Sequence, residues 1–252
     1  MTSVYDESLG YEIAFSYRDI PAEVDALVAM AGSAPASVLE IAAGPAEHAI
    51  EFAERGARAA ALDLSEAMCT RATANAASAG VELDVVRADM RDFSLPYRVD
   101  LAFCMISSIS HVSTLDEMVS HLTAVRRVLA PGGCYVIEGS HPTEQFGPKA
   151  TETDWEVERD GITAHLRWGG DDDLIDPVTQ LTDVHVTLTM TGPDGTSVTT
   201  EHVESDRFWT VDEMRASARL AGLSVTAQYG AFDRTSLSAD GAWRMITVMR
   251  AP

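Results

Sequence analysis

Residues 38–49 read VLEIAAGPAEHA, an apolar run that ends in an acid, then a turn of small residues, then the opening of a helix. The small side chains of Ala42, Ala43, Gly44 and Ala46 let a ligand approach the backbone, and the first N–H groups of a helix have no partner within it. A nucleotide-like ligand fits such a corner. A tight strand-to-helix turn with no ligand is the plain alternative, so the rest of the chain has to decide.

Working outward, short apolar runs alternate with helical segments. Strands are expected at 37–42, 59–63, 81–89, 99–105 and 133–139, with helices at 46–55, 65–79 and 114–130 between them. This alternation predicts an α/β fold with a parallel sheet covered on both faces. Ser65 suits an N-cap, Thr114 with Glu117 makes a capping box, and APGG at 130–133 stops the helix before it. Ahead of the sheet, residues 1–33 read as a helical cap, with Ile13, Phe15 and Tyr17 clustered before PAEVDALVAM. The alternation breaks at 142–208, where Val184, Val186 and Leu188 alternate and a PDG turn stands at 193–195; this stretch reads as a β insertion. It resumes at Trp209 with a second capping box, Thr210 and Glu213, and two closing strands, SVTAQYG and WRMITVMR. The expected α/β domain therefore spans 34–141 and 209–252.

Composition narrows the function. A chain of 252 residues, 46% hydrophobic and 23% charged, fits one domain with an elaboration. It has no apolar run long enough to span a bilayer and no signal-peptide pattern at its start, so a cytoplasmic location is expected. The formal net charge of -21 repels phosphate backbones and anionic membranes, which argues against nucleic-acid and membrane partners; a homodimer is compatible with it. The cations are arginines apart from Lys149. Cys69, Cys104 and Cys134 form no CxxC pair and are expected to be reduced and buried, and no cluster has metal-ligand spacing.

The order of these features resembles the class I S-adenosylmethionine-dependent methyltransferases of the small-molecule type. Glu40 and Gly44 match the first motif, while Ala42 and Ala46 stand where that family more often has glycine. Asp63, with Leu64 beside it in ALDLSEAM, matches the acid that accepts from both ribose hydroxyls, a task suited to an acceptor-only carboxylate. ADMRDF at 88–93 resembles the adenine-binding segment, with the Asp89 side chain on the exocyclic amine and the Met90 backbone on the ring. DLAFCMISSISHV at 100–112, including Cys104 and Met105, resembles the strand and loop that reach the reacting methyl group. The resemblance covers residues 36–141 and 209–250. It implies a Rossmann-like, seven-stranded, mostly parallel sheet with an antiparallel last strand, and S-adenosyl-L-methionine as cofactor. A dinucleotide-dependent dehydrogenase would need GxGxxG spacing, which AAGPAE lacks.

The N-terminal cluster Tyr5, Tyr11, Phe15, Tyr17 and Arg18 is expected to cover the cofactor, with Arg18 either on the methionine carboxylate or solvated on a packed helix. His111 and His141, at the carboxyl ends of the fourth and fifth strands, are the candidate catalytic bases, set against a plain role in holding loop backbone. His121 is read on a helix and His48 on a helix surface, so neither is a candidate. The insertion is expected to be a lid over the acceptor, lined by Trp155, Trp168 and Arg207; Asp171, Asp172, Asp173 and Asp176 either attract a cationic substrate or form a solvated turn. The expected activity is methyl transfer to a nitrogen or oxygen of a small-molecule acceptor. The alternatives are a cyclisation or rearrangement that retains the cofactor, C-methylation with a histidine base, and a non-catalytic partner subunit.

Overall fold

The computed structural model describes residues 3–141, 154–170, 172–238 and 244–252. Lys149, Asp171, Trp243 and the 142–153 start of the expected insertion lie outside them. The chain opens with α1 (Ser8–Phe15) and α2 (Ile20–Ala31), then runs β1 (Ser37–Ile41), α3 (Glu47–Glu54), β2 (Arg58–Asp63), α4 (Glu66–Ala79) and β3 (Leu83–Arg87). It continues through β4 (Val99–Cys104), a 3-10 turn (Ser108–His111), α5 (Leu115–Val128) and β5 (Leu129–Ser140). Four strands follow, β6 (Asp154–Arg159), β7 (Ile162–Trp168), β8 (Leu181–Thr191) and β9 (Ser197–Arg207), and the chain closes with α6 (Val211–Ala221), β10 (Ser224–Tyr229) and β11 (Arg244–Arg250).

Seven strands form one sheet in the order β10-β11-β5-β4-β1-β2-β3. β1 pairs in parallel with β2 and β4, whereas β11 runs antiparallel to both β5 and β10. Two helices, α5 and α6, pack against one face, while α2, α3 and α4 contribute to the other. Because both faces are covered, the central strands are apolar almost throughout, as in Val99–Cys104. The three expected caps are present: Ser65 accepts from Met68 N–H, and the Thr114–Glu117 and Thr210–Glu213 boxes are both complete. β5 differs from expectation. It begins at Leu129, not at residue 133, because Gly132 takes a left-handed φ of 73° and lets the strand continue through an irregularity instead of starting after it.

The second sheet is an antiparallel meander in the order β6-β7-β8-β9. Its inner face presents Ala164, Leu166, Val184, Val186 and Leu188 to Tyr11, Ile13, Ala14 and Phe15 of α1. Trp155 Nε1 donates to the Ala14 carbonyl at 2.8 Å. The approach is so close at Gly10 that a Cβ there would stand 2.5 Å from the Met190 sulfur, so any larger residue would have to displace the Met190 side chain. α1 is thus held between the second sheet and the α/β body.

One buried acid ties the three parts together. Glu12 of α1, 6% exposed, accepts from Arg71 Nη2 at 2.9 Å and Asn75 Nδ2 at 2.8 Å on α4, and from Arg159 at the end of β6. Burial pushes the Glu12 pKa up, but the hydrogen bonds from Arg71, Asn75 and Arg159 outweigh it and bring it down to about 2. A carboxylate with a lowered pKa stabilises the fold fully above its ordinary value near 4.5 and loses that contribution as pH falls through about 2. Glu12→Gln should therefore cost about 2 kcal/mol at pH 7, the scale for a charged hydrogen bond, and the difference from the parent should vanish in urea melts near pH 2.

Candidate functional site

β1 delivers its C-terminal end to a turn in which Ala42, Gly44 and Ala46 all adopt positive φ, at 52°, 54° and 63°. A left-handed alanine costs about 1–2 kcal/mol, so two of the three positions bear strain that glycine would relieve. The turn walls a cleft, partly open to solvent, that is completed by Tyr11 and Phe15 of α1, Glu47 of α3, and Met105, Ile106 and Ser108 after β4. The loop beyond β4 is strained as well: Ile106 and Ser107 have φ of 53° and 54°, and Ile106 N–H is held by Glu138 Oε2 at 2.8 Å.

Asp63, the last residue of β2, spans the turn. Its Oδ2 accepts from Gly44 N–H at 2.8 Å and its Oδ1 from Ser65 N–H at 2.8 Å. Burial raises its pKa against the pull of these donors. Leu64 next to it is 63% exposed. Asp89 is held by Arg91, whose hydrogen bonds depress its pKa. The Met90 carbonyl accepts from His121 Nδ1 at 2.8 Å. His121 is fully buried and its other ring nitrogen meets the Tyr135 hydroxyl, so burial lowers its pKa to about 4 and keeps it neutral. The structure brings Glu40, Ala42, Gly44 and Met105 to the cleft; Cys104 is instead fully buried in the core behind it.

His111 stands on the 3-10 turn, its Nε2 3.0 Å from the Tyr5 hydroxyl and its Nδ1 3.3 Å from Asp206. His141 is 3% exposed just past β5 and does not line the cleft. Tyr17 is 61% exposed and packs near Phe15 and Trp155. Arg207 lies over the Trp209 ring and bonds Ser113 O and Glu213, so it braces β9 against the α/β body. Asp173, expected on a solvated turn, is 6% exposed and accepts from His185 and Gly170 N–H.

Behind the turn lies a buried ionic network, most of which the sequence did not announce. Glu40 accepts from Ala49 N–H at 2.8 Å and from His48 Nδ1 at 2.9 Å; His48 Nε2 reaches Glu23 at 2.8 Å. Glu23 pairs with Arg18, which also meets Glu138, and Glu138 meets Arg244 at 3.1 Å. His48 is therefore 3% exposed and central, not on a helix surface; its position facing the β1 acid from eight residues on along α3 is the one local cue. Arg18 is likewise not solvated: its side chain is 6% exposed, and its Nη1 has no hydrogen-bond partner among the described residues.

Carboxylates only accept, so an imidazole between two of them must donate from both nitrogens and carry a charge. Burial pushes the His48 pKa down, but Glu40 and Glu23 overcome it and raise it to about 9. With His48 protonated, Arg18, His48 and Arg244 balance Glu23, Glu40 and Glu138. A histidine whose folded pKa is raised contributes fully below its ordinary value near 6.5 and loses that contribution as pH rises through about 9. Urea melts should show about 3 kcal/mol of stability lost between these limits, and His48→Gln should flatten that slope.

Comparison with known proteins agrees with this geometry. A family model described as a methyltransferase domain matches residues 38–133. The chain is 32% identical over 127 residues to a dTDP-3-amino-3,4,6-trideoxy-alpha-D-glucopyranose N,N-dimethyltransferase of Streptomyces venezuelae, a match covering 50% of this chain and 52% of that one. It is 29% identical over 215 residues to a dTDP-3-amino-3,6-dideoxy-alpha-D-glucopyranose N,N-dimethyltransferase of Streptomyces fradiae, covering 83% and 78%. The chain thus spans about half the length of the first relative and more of the second. Among solved structures, an amino pentose methyltransferase from Micromonospora echinaspora with S-adenosylmethionine bound superposes with a TM-score of 0.68 at 20% identity, over 100% of this chain and 98% of that one. The matched domain, the sheet order and the turn geometry agree: residues 38–133 match a methyltransferase domain, and the whole chain has the fold of solved S-adenosylmethionine-dependent methyltransferases.

Proposed function

We propose that this protein transfers a methyl group from S-adenosylmethionine to an amine nitrogen of a small molecule. The observation that carries the cofactor half is the Asp63 carboxylate, half-buried at the tip of β2 and fixed across the Gly44 turn. Each of its oxygens uses one lone pair on a backbone N–H and keeps another for a ribose hydroxyl. Leu64 and Met90 flank the position for the adenine, with Asp89 for its amine. The orphaned Arg18 Nη1 suits the methionine carboxylate, with Tyr17 as its neighbour on the covering segment. Glu47 in the cleft wall suits the ammonium group: burial and the nearby Glu12 raise its pKa to about 7, and a docked cation would restore its charge. These donors and acceptors fit the zwitterionic methionine end and the nucleoside end together.

When bound, the sulfonium supplies an already activated methyl group. The chain's own residues then have to orient the acceptor and exclude water, an effect that can supply about 7–11 kcal/mol. The second sheet, acting through α1, is proposed to roof the cleft and shape the acceptor side. The amine half of the reading is supported by the relatives, whose names specify N,N-dimethylation of amino sugars.

Asp63→Ala should weaken binding of the demethylated cofactor by about 1.5–3 kcal/mol in calorimetric titration, the range for hydrogen bonds to a charged group. A folded variant with unchanged affinity would remove Asp63 from the site. Mass analysis of products from a panel of small amines separates this reading from O- and C-methylation and from a cyclisation that retains the cofactor.

A further inference from the structure

Three separate parts of the chain converge on one histidine. The Tyr5 hydroxyl, from the N-terminal segment, lies 3.0 Å from His111 Nε2. Asp206, on β9 of the second sheet, faces His111 Nδ1 at 3.3 Å and is itself held by the Ser110 hydroxyl at 2.9 Å. Glu204 stands 3.7 Å from the same nitrogen. Asp206 within hydrogen-bond reach of Nδ1, with the Glu204 charge behind it, favours the proton there, so in the neutral ring Nε2 is the acceptor and the tyrosine the donor. The group borders the cleft: Ser108, on the same 3-10 turn as His111, lines it, and the Tyr5 ring lies 5.8 Å from that of Tyr11, which also lines it. The Tyr5 carbonyl also accepts from the Ser65 hydroxyl, beside Asp63.

An amine acceptor creates a demand that this arrangement meets. An alkyl amine has a pKa of roughly 10, so at neutral pH its nitrogen is protonated and has no lone pair to attack with. Each transfer must be preceded by loss of one proton, and a second methylation by loss of another. We propose that Tyr5, His111 and Asp206 form the relay that takes these protons; the proposal rests on the amine reading above. The acceptor's ammonium passes a proton to the Tyr5 oxygen while the Tyr5 proton moves to His111 Nε2. The tyrosine stays neutral, the nitrogen keeps its electron pair, and the imidazolium is stabilised by Asp206 and Glu204. Tyr5 is then the group that touches the acceptor, and Asp206 is a positioning residue that fixes the tautomer.

Other charges face the relay too. His202 meets Tyr5 edge to face and is paired with Glu204, and Asp63 adds negative potential from β2. Burial opposes the charge on His111, but Asp206 and Glu204 prevail and its pKa is raised, which suits a group that must hold a proton long enough to discharge it to solvent.

The test combines a titration with turnover. In the cofactor-free protein, the His111 ring signal, assigned by its loss in His111→Asn, should titrate above the free-histidine value, and Asp206→Asn should lower the midpoint by about one pH unit. The parent and Tyr5→Phe are then assayed on primary alkylamines, free amino sugars and their N-methyl derivatives. Tyr5→Phe should lower kcat about 100-fold, leave the affinity for demethylated cofactor within about twofold, and let monomethyl product accumulate over dimethyl. The acid limb of the pH–kcat/KM profile should disappear in His111→Asn, and added imidazole should restore part of the turnover of His111→Gly. If the parent methylates no amine, the amine reading fails and the relay with it. If the parent turns over while Tyr5→Phe keeps its kcat and product ratio, or while Asp206→Asn leaves the titration unmoved, the relay alone is overturned.

Discussion

An acid buried near the end of the first strand has to be given donors, and the way Glu40 receives them organises the cleft side of the molecule. Taking a carboxylate out of water is costly unless it is paired and hydrogen-bonded. Glu40 uses one oxygen to fasten the start of α3 through Ala49 N–H and the other to anchor His48. That pins the helix whose first turn follows the left-handed Gly44–Ala46 corner. His48 passes the constraint to Glu23 on α2, and Arg18 carries it to Glu138 on β5. Glu138 in turn holds Ile106 in its strained conformation at the cleft. The turn, the covering segment and the loop after β4 are therefore set by one charge-balanced chain of contacts, not by three independent loops.

Such a network gains specificity at some expense in stability. Breaking one member leaves another buried and unmatched, which costs far more than the intact pair contributes. Two alanines and an isoleucine in left-handed backbone add strain in the same region. These costs are met by the apolar packing of the seven-stranded sheet and its helices, which reaches the cleft itself through Ala43 and Met105.

Much of the fold was legible from sequence because its signals are local. Periodicity separated strands from helices to within a residue or two at β1 and α4, and the Ser65, Thr114 and Thr210 caps lie within three residues of their partners. The small-residue turn and the place of Asp63 at the end of β2 were legible for the same reason: both sit where a strand ends. What escaped depends on contacts between distant segments. His48 looked like one more polar residue on a short helix, since nothing nearby shows that Glu23 and Glu40 converge on it. Glu12 meets Arg71 and Arg159 across 59 and 147 residues, and Tyr5 meets His111 across 106. Arg18 was read as either solvated or on the cofactor, and only its burial among acids shows why the solvated alternative fails.

The position of α1 between two layers couples the shape of the cleft to the second sheet. Tyr11 and Phe15 of that helix face the cleft on one side and share a cluster with the second sheet on the other. A wall made of core residues cannot shift without disturbing the packing behind it, so the width of the cleft on this side is set by the same contacts that hold the second sheet in place.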